Sequence, residues 1–529
     1  MAQSTQVTPD AVAQAAAGAL DEFRSVLGAD AVLTSEDALR EFRDPFAPSS
    51  WDEYTASAVL MPETVDQVQE IVRIAGDRGV PLWPQGQGRN NGYGGAGPRL
   101  KGSVTVNLRR MNKIIEIDDD LAYAVVEPGV SFIELYEAIR DGGHPLMLSV
   151  PDLGWGSVVG NALDNGLTYL PNGRDQMAPC GMEVVTADGG LMRTNMGAME
   201  GNPSWNLYRR SLGPALDGLF TQSNFGIVTK MGVWLMPEPE MIELVTVTVP
   251  AEEQIVELID TLRPFLLSRD IEGVPCIFNT VNIACATSQR DDWYDGTDPM
   301  PDAVIDEVGQ KLGVGRWLLR FALYGDGAIL DHRFRKIEAA FAAIPGAVID
   351  ARKVTPRDAP ALPDASDRAL SGVPSLDWAK MAGWYGGDNG GHMPFSPVVP
   401  LKGREFFELH RRLRSEVESF GLDYGNDLIV VNARSACSVV SQFFDFSDES
   451  QTRKAYEMNH HLVRAAAKLG YGEYRAHLDF MDTAAEQYGF SDHAYMRFVE
   501  KIKDAVDPRG ILAPGKQGIW PAAMRDRKS

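Results

Sequence analysis

Apolar residues fall at Val68, Ile71, Val72 and Ala75, the spacing of one face of a helix. Thr64-x-x-Gln67 precedes them as a capping box and Gly79 follows as a stop, so a helix is predicted between the two. The apolar run Val80–Trp83 then predicts a strand, with further strands at Ser103–Leu108 and Ala122–Glu127. After the turn at Pro128-Gly129, Ser131-x-x-Glu134 opens another helix. Glu183–Thr194 reads as a hairpin turning at Asp188-Gly189. Upstream, residues 9–45 carry the pattern of short amphipathic helices and lead into a Pro/Ser-rich link, Asp44–Ser50. The acidic, proline-containing Pro237-Glu238-Pro239-Glu240 predicts a boundary, beyond which residues 241–470 alternate strand and helix signals. Neither an internal repeat nor a low-complexity tract interrupts this mixed pattern.

The first two strands are separated by Trp83-Pro84-Gln85-Gly86-Gln87-Gly88-Arg89-Asn90-Asn91-Gly92-Tyr93-Gly94-Gly95. Residues without a side chain let backbone N–H groups close on a phosphate and adopt positive φ. A dinucleotide-binding Rossmann loop opens a helix. Here Pro98 and a strand follow instead, which argues against that fold. Tyr93 is unexplained by a phosphate cradle and suggests substrate chemistry beside a nucleotide. The alternative is a long surface loop. A second glycine-rich segment, Pro151–Asn161, and a third near the end, Asp507–Lys516, complete the set.

With 529 residues the chain is too long for one ordinary core, and two or three domains are expected. A net charge of −23 argues against nucleic acid or an anionic membrane as the main partner. Cys180, Cys276, Cys285 and Cys437 lack metal-ligand spacing, so reduced thiols and no metal site are expected. Without a basic patch and apolar core at the N-terminus, or an apolar run long enough to span a bilayer, a cytoplasmic enzyme is the simplest expectation.

Several residues carry candidate chemistry. Asp152, between Pro151 and Leu153, offers a carboxylate that acts as a base or steers charge, or else caps a turn. Of the 8 histidines, His392 stands apart, in Gly390-Gly391-His392-Met393-Pro394, where glycines permit close approach of another surface. Tyr474-Arg475 can jointly receive an anionic oxygen, the guanidinium supplying charge and the phenol a hydrogen bond. The alternative there is an arginine at a strand edge paired with a carboxylate.

Taken together, Gly88–Gly95, Pro151–Asn161, Phe220–Lys230, Gly391-His392, Gly472–Arg475 and Ile511–Lys516 resemble, in order, the motifs of the vanillyl-alcohol oxidase and p-cresol methylhydroxylase family of flavoproteins. The resemblance runs from about residue 40 to the end of the chain. It implies an α+β architecture: a two-part FAD-binding domain of residues 1–240 and 471–529, with its core at about 55–240, and an α+β cap domain of residues 241–470. It also implies FAD held covalently by His392 through the 8α-methyl group. The remaining cofactor contacts would come from Pro84, Gln85, Gly86, Gln87, Gly88, Arg89, Asn90, Asn91, Gly156, Ser157, Gly160, Asn161, Gly226, Ile227, Val228, Arg475 and Lys516. Tyr93, Tyr474 and Arg475 would bind a para-substituted phenol as phenolate, with Asp152 near flavin N5 and Tyr169, Pro394 and Asp427 in the substrate pocket.

The implied reaction is hydride transfer from the benzylic carbon to the flavin through a p-quinone methide, with dioxygen as acceptor and hydrogen peroxide as product. A homodimer is the default for such an enzyme. One rival passes the electrons to a cytochrome; the cytochrome-linked relatives carry different residues where this chain has Asp152 and His392. A second rival is an oxidase of aliphatic hydroxyacids or polyols, in which Arg475 would bind a carboxylate. The chain departs from the family at Arg434–Ser438, at Pro394 and at Leu170–Asp175. These departures lead to the expectation of a phenol substituted differently from vanillyl alcohol or eugenol.

Overall fold

The computed structural model describes residues 8–46 and 52–527. Ala47–Ser50 of the Pro/Ser-rich link lie outside the described residues. The helix after Thr64 spans Val65–Arg78; Thr64 accepts a hydrogen bond from the Gln67 N–H, and Gly79 ends it at φ 67°. Its apolar face, with Val68, Ile71, Val72 and Ala75 buried, packs on a four-stranded sheet. That sheet runs Val32–Leu33, Ala58–Leu60, Val104–Asn107, Leu82–Gln85, the last three parallel. The strand expected at Val80–Trp83 thus begins two residues later, because Pro81 lacks an N–H and only its carbonyl joins the sheet, accepting from Val104.

A second sheet is antiparallel throughout and holds Ile114–Asp118, Tyr123–Val126, Ile227–Trp234, Pro179–Val185 and Leu191–Arg193. Its last two strands form the hairpin expected around Asp188-Gly189. The helix Phe132–Gly142 starts in the expected capping box of Ser131 and Glu134. Residues 9–45 give one long helix, Pro9–Leu27, and one short one, Glu36–Arg40.

From Met241 onward the strands enter a third, eight-stranded sheet. Its order is Val348–Val354, Met241–Val249, Trp317–Gly325, Cys276–Asn279, Gly425–Ile429, Ser435–Asp445, Gly390–Phe395, with Val398–Pro400 also paired to Ser435–Asp445. Alternation along these strands divides the side chains between two faces. Val245, Val247, Leu319, Phe321, Ile277, Leu428 and Met393 share one core with residues of the helices Ile255–Ser268, Gly327–Phe341, Gly403–Ser419 and Glu449–Lys468. Cys276, Phe278 and Ile429 point the other way, into a core shared with the second sheet.

The end of the chain returns to the first sheet. The Leu82 N–H donates to Ile511 and the Ala513 N–H to Leu82, extending the sheet beside the glycine-rich loop. Lys503, fully buried, pairs with Asp507 at 2.7 Å and donates to the carbonyls of Asn224 and Leu512. The four cysteines are buried and unpaired. Among the described residues no helix is long and apolar enough to cross a membrane.

Candidate active site

The strand Leu82–Gln85 delivers the glycine-rich loop into a deep cleft between the three sheets. Pro84, Gln85, Gly86, Gln87, Gly88, Arg89, Asn90, Asn91 and Tyr93 all line it. The Asn90 side-chain oxygen accepts from the N–H groups of Tyr93, at 2.9 Å, and Gly95, at 3.3 Å, which folds the loop into a turn and aims Tyr93. Gly92 and Gly94 make that turn possible. Both have positive φ, and a Cβ would sit 2.7 Å from the His392 carbonyl at the first and 2.5 Å from the Leu478 side chain at the second. The loop is therefore wedged between the segments that carry His392 and Arg475.

Gly156, Ser157, Gly160 and Asn161 line the same cleft, as do Gly226, Ile227 and Val228. Ser157 contributes through its backbone position: its hydroxyl donates to Pro128 at 2.6 Å and caps the following helix by accepting from the Gly160 N–H. The Asn161 amide is likewise engaged with the Gly166 carbonyl. Lys516 reaches the cleft from the chain's end and pairs with Asp164 at 2.7 Å. Burial opposes ionisation of Asp164, yet Lys516 and Arg475 outweigh it and hold its carboxyl below the usual range. Asp164 was not singled out in the sequence, where Asp164-Asn165-Gly166 reads as an ordinary turn.

His392 is 2% exposed, and neither ring nitrogen has a hydrogen-bond partner among the described residues. Burial lowers its pKa to about 4, with His477 adding and Asp44 opposing, so the imidazole is neutral near pH 7. The ring stacks on Phe443 with centroids 5.2 Å apart, and the backbone N–H donates to the Phe46 carbonyl. Gln85 Oε1, Asn91 Oδ1, Trp155 Nε1, Asn224 Oδ1 and Arg475 Nε also line the cleft without partners among the described residues. Buried polar groups are normally satisfied. This concentration along one glycine-walled cleft fits a large polar cofactor such as FAD.

In the same cleft the Arg475 guanidinium lies 3.6 Å from the Tyr93 ring centroid and 5.6 Å from that of Tyr474. Burial disfavours its charge, but Tyr474, Tyr93 and Asp164 push its pKa up and it stays cationic. Burial raises the Tyr474 pKa far above 10, so its phenol remains a hydrogen-bond donor. The Tyr93 hydroxyl lies 3.4 Å from Ser396, a neighbour the sequence did not suggest.

Asp152 also lines the cleft, and burial raises its pKa against a hydrogen bond from the Tyr169 hydroxyl. Tyr169 itself is not among the lining residues. Expected in the substrate pocket, it is 4% exposed and its hydroxyl donates to Asp152, which does line the cleft. Pro394 and Asp427 both line the cleft. Pro394 follows His392 by two positions on one strand, which puts the two on the same face.

Comparison with known proteins agrees with this geometry. Residues 56–195 match a family model described as FAD binding domain, and residues 315–517 one described as FAD linked oxidases, C-terminal domain. The chain is 36% identical over 523 residues to the 4-cresol dehydrogenase [hydroxylating] flavoprotein subunit of Pseudomonas putida, covering 98% of each. It superimposes on 4-ethylphenol oxidase from Gulosibacter chungangensis, solved with isoeugenol, with a TM-score of 0.91, 36% identity and coverage of 97% of this chain and 98% of that one. It likewise matches p-cresol methylhydroxylase with substrate bound, with a TM-score of 0.90, 36% identity and coverage of 96% and 97%. The two-domain α+β FAD-binding fold, the glycine-lined cleft and near full-length likeness to these flavoproteins have one reading: the chain belongs to the vanillyl-alcohol oxidase and p-cresol methylhydroxylase family of FAD-dependent oxidoreductases.

Proposed function

We propose that this enzyme is an FAD-dependent oxidase of para-substituted phenols, acting on 4-alkylphenols, 4-hydroxybenzylic alcohols or 4-allylphenols. The observation that carries the reading is the buried Arg475 stacked on Tyr93 beside Tyr474. One guanidinium and two phenol donors make a receptor for a single anionic oxygen on an aromatic ring, which suits a phenolate. The aliphatic hydroxyacid reading is less favoured, because a carboxylate needs no ring of tyrosines around its arginine. Residues 1–240 and 471–529 would hold FAD, and residues 241–470 would form the cap over the substrate.

In this mechanism Arg475, Tyr93 and Tyr474 lower the substrate's pKa and bind it ionised. The phenolate's electrons make the benzylic hydrogen a better hydride and leave the substrate as a p-quinone methide. When bound, FAD would supply the hydride acceptor, with dioxygen as the final oxidant and hydrogen peroxide as its product. Asp152, held by Tyr169, manages the proton that water addition to the quinone methide releases, or that its rearrangement removes. The backbone of Gly86–Asn91 would carry the pyrophosphate, and His392, neutral and unpartnered, would be linked to the 8α carbon.

The relatives divide between an oxidase and a hydroxylating dehydrogenase subunit. Asp152 and His392 support the oxidase branch. Stopped-flow mixing of the substrate-reduced enzyme with air decides between them: rapid return of the oxidised spectrum is expected, and a slow return would refute the oxidase assignment. Denatured protein should stay yellow and His392→Ala should release its flavin; a colourless acid precipitate of wild type would refute covalent attachment.

A further inference from the structure

On the cleft-facing side of the eight-stranded sheet, His392, Ser441 and Asp427 are the polar positions among apolar neighbours. Phe278, Asp427 and Val439 lie side by side as register partners across three strands, and all three line the cavity. Trp378 stacks on Phe278 with centroids 5.6 Å apart, and Met381 and Ile429 extend the apolar wall.

Two buried polar side chains with unpartnered oxygens border that apolar stretch. Asp427 is 8% exposed and its Oδ1 has no hydrogen-bond partner among the described residues. Asn282, 1% exposed, lines the same cavity, and its Oδ1 is equally unpartnered. The two are carried by adjoining elements. The Asn279 side-chain oxygen accepts from the N–H groups of both Asn282 and Asn426, each at 3.0 Å, pinning the start of the helix Thr280–Thr287 to the strand that carries Asp427. Two buried polar groups unpaired in an apolar wall are costly until a ligand pairs with them.

We propose that Asn282 and Asp427 form a second polar subsite, which takes a neutral hydrogen-bonding group, a hydroxyl or a carbonyl, carried on the para substituent beyond the benzylic carbon. The inference rests on the phenol-oxidase reading and narrows its substrate class. Burial, with Asp152 adding, pushes the Asp427 pKa well above the carboxylate range, so the group donates as well as accepts. The Asn282 amide offers the same pair of functions. An anionic substituent is disfavoured at this subsite, because Asp152 lies within electrostatic range of Asp427.

The test compares 4-propylphenol, 4-(3-hydroxypropyl)phenol and 3-(4-hydroxyphenyl)propanoate as substrates of the flavin-loaded enzyme. The hydroxylated phenol should exceed the alkylphenol in kcat/KM by about tenfold, the scale of one buried neutral hydrogen bond, and the propanoate should be the poorest. Asn282→Leu should abolish the hydroxyl preference, whereas Asp427→Asn, which keeps a neutral hydrogen-bonding group, should retain it. No preference in wild type, an unchanged ratio in Asn282→Leu, or a lost one in Asp427→Asn would each overturn the subsite. Anaerobic bleaching of the flavin separates the two levels. Bleaching by 4-propylphenol without a hydroxyl preference overturns the subsite alone, whereas no bleaching by any of the three overturns the phenol reading and the subsite with it.

Discussion

Arg475→Met removes the charge while keeping a side chain of similar bulk over the Tyr93 ring. A free phenol has a pKa near 10, so binding it ionised at pH 7 costs about 4 kcal/mol. A unit charge about 4 Å away, at an effective dielectric near 20, returns about 4 kcal/mol. Arg475 is buried against the Tyr93 ring, 3.6 Å from its centroid, and Lys516 offsets Asp164, which leaves the guanidinium charge free for the phenolate. The variant should therefore lose about a thousandfold in kcat/KM for a 4-alkylphenol at pH 7. The deficit in kcat, which reads ionisation of the bound substrate, should shrink as pH rises toward 10, where that substrate ionises without help. Anaerobic stopped-flow bleaching of the flavin from pH 7 to pH 10, at limiting and at saturating phenol, measures both quantities. A kcat/KM loss below tenfold, or a kcat deficit constant with pH, would mean that Arg475 acts through packing and would refute phenolate stabilisation.

Tyr169→Phe tests the partner behind Asp152. The tyrosine's hydrogen bond opposes the upward push of burial on the Asp152 pKa, so deleting the hydroxyl raises that pKa further. If catalysis uses ionised Asp152, the acidic limb of the kcat/KM profile moves to higher pH; an unmoved limb refutes the coupling. Lys503→Met breaks a fully buried pair and leaves Asp507 charged, accepting only from the N–H groups of Ile511 and Leu512. Urea unfolding should register a loss of about 3–5 kcal/mol, and a loss under about 1 kcal/mol would show that the backbone bonds suffice.

Much of the site was legible because its chemistry is local in sequence. The turn that aims Tyr93 is closed by Asn90, three residues away, and the glycines that permit it are its neighbours. Helix starts at Thr64 and Ser131 were readable for the same reason, since caps act over three residues. Only the fold reveals that the Tyr169 hydroxyl turns toward Asp152. Asp164 and Asn282 gave no signal. One sits in a turn and the other in a helix, and each gains its meaning from a residue far along the chain, Lys516 for Asp164 and the Asp427 strand for Asn282.

By itself, then, the sequence determined the elements, the strand–loop–strand setting that excludes a Rossmann loop, and the residue types able to hold a flavin and a phenolate. Tertiary structure alone decided which of them meet. Parallel pairing of Leu82–Gln85 with Val104–Asn107 sends the glycine-rich loop into the cleft, and sheet alternation turns His392, Pro394 and Asp427 toward it. The return of the chain end along Leu82 brings Lys516 there too. Such pairings depend on register and burial across hundreds of residues, and a local pattern does not carry that information.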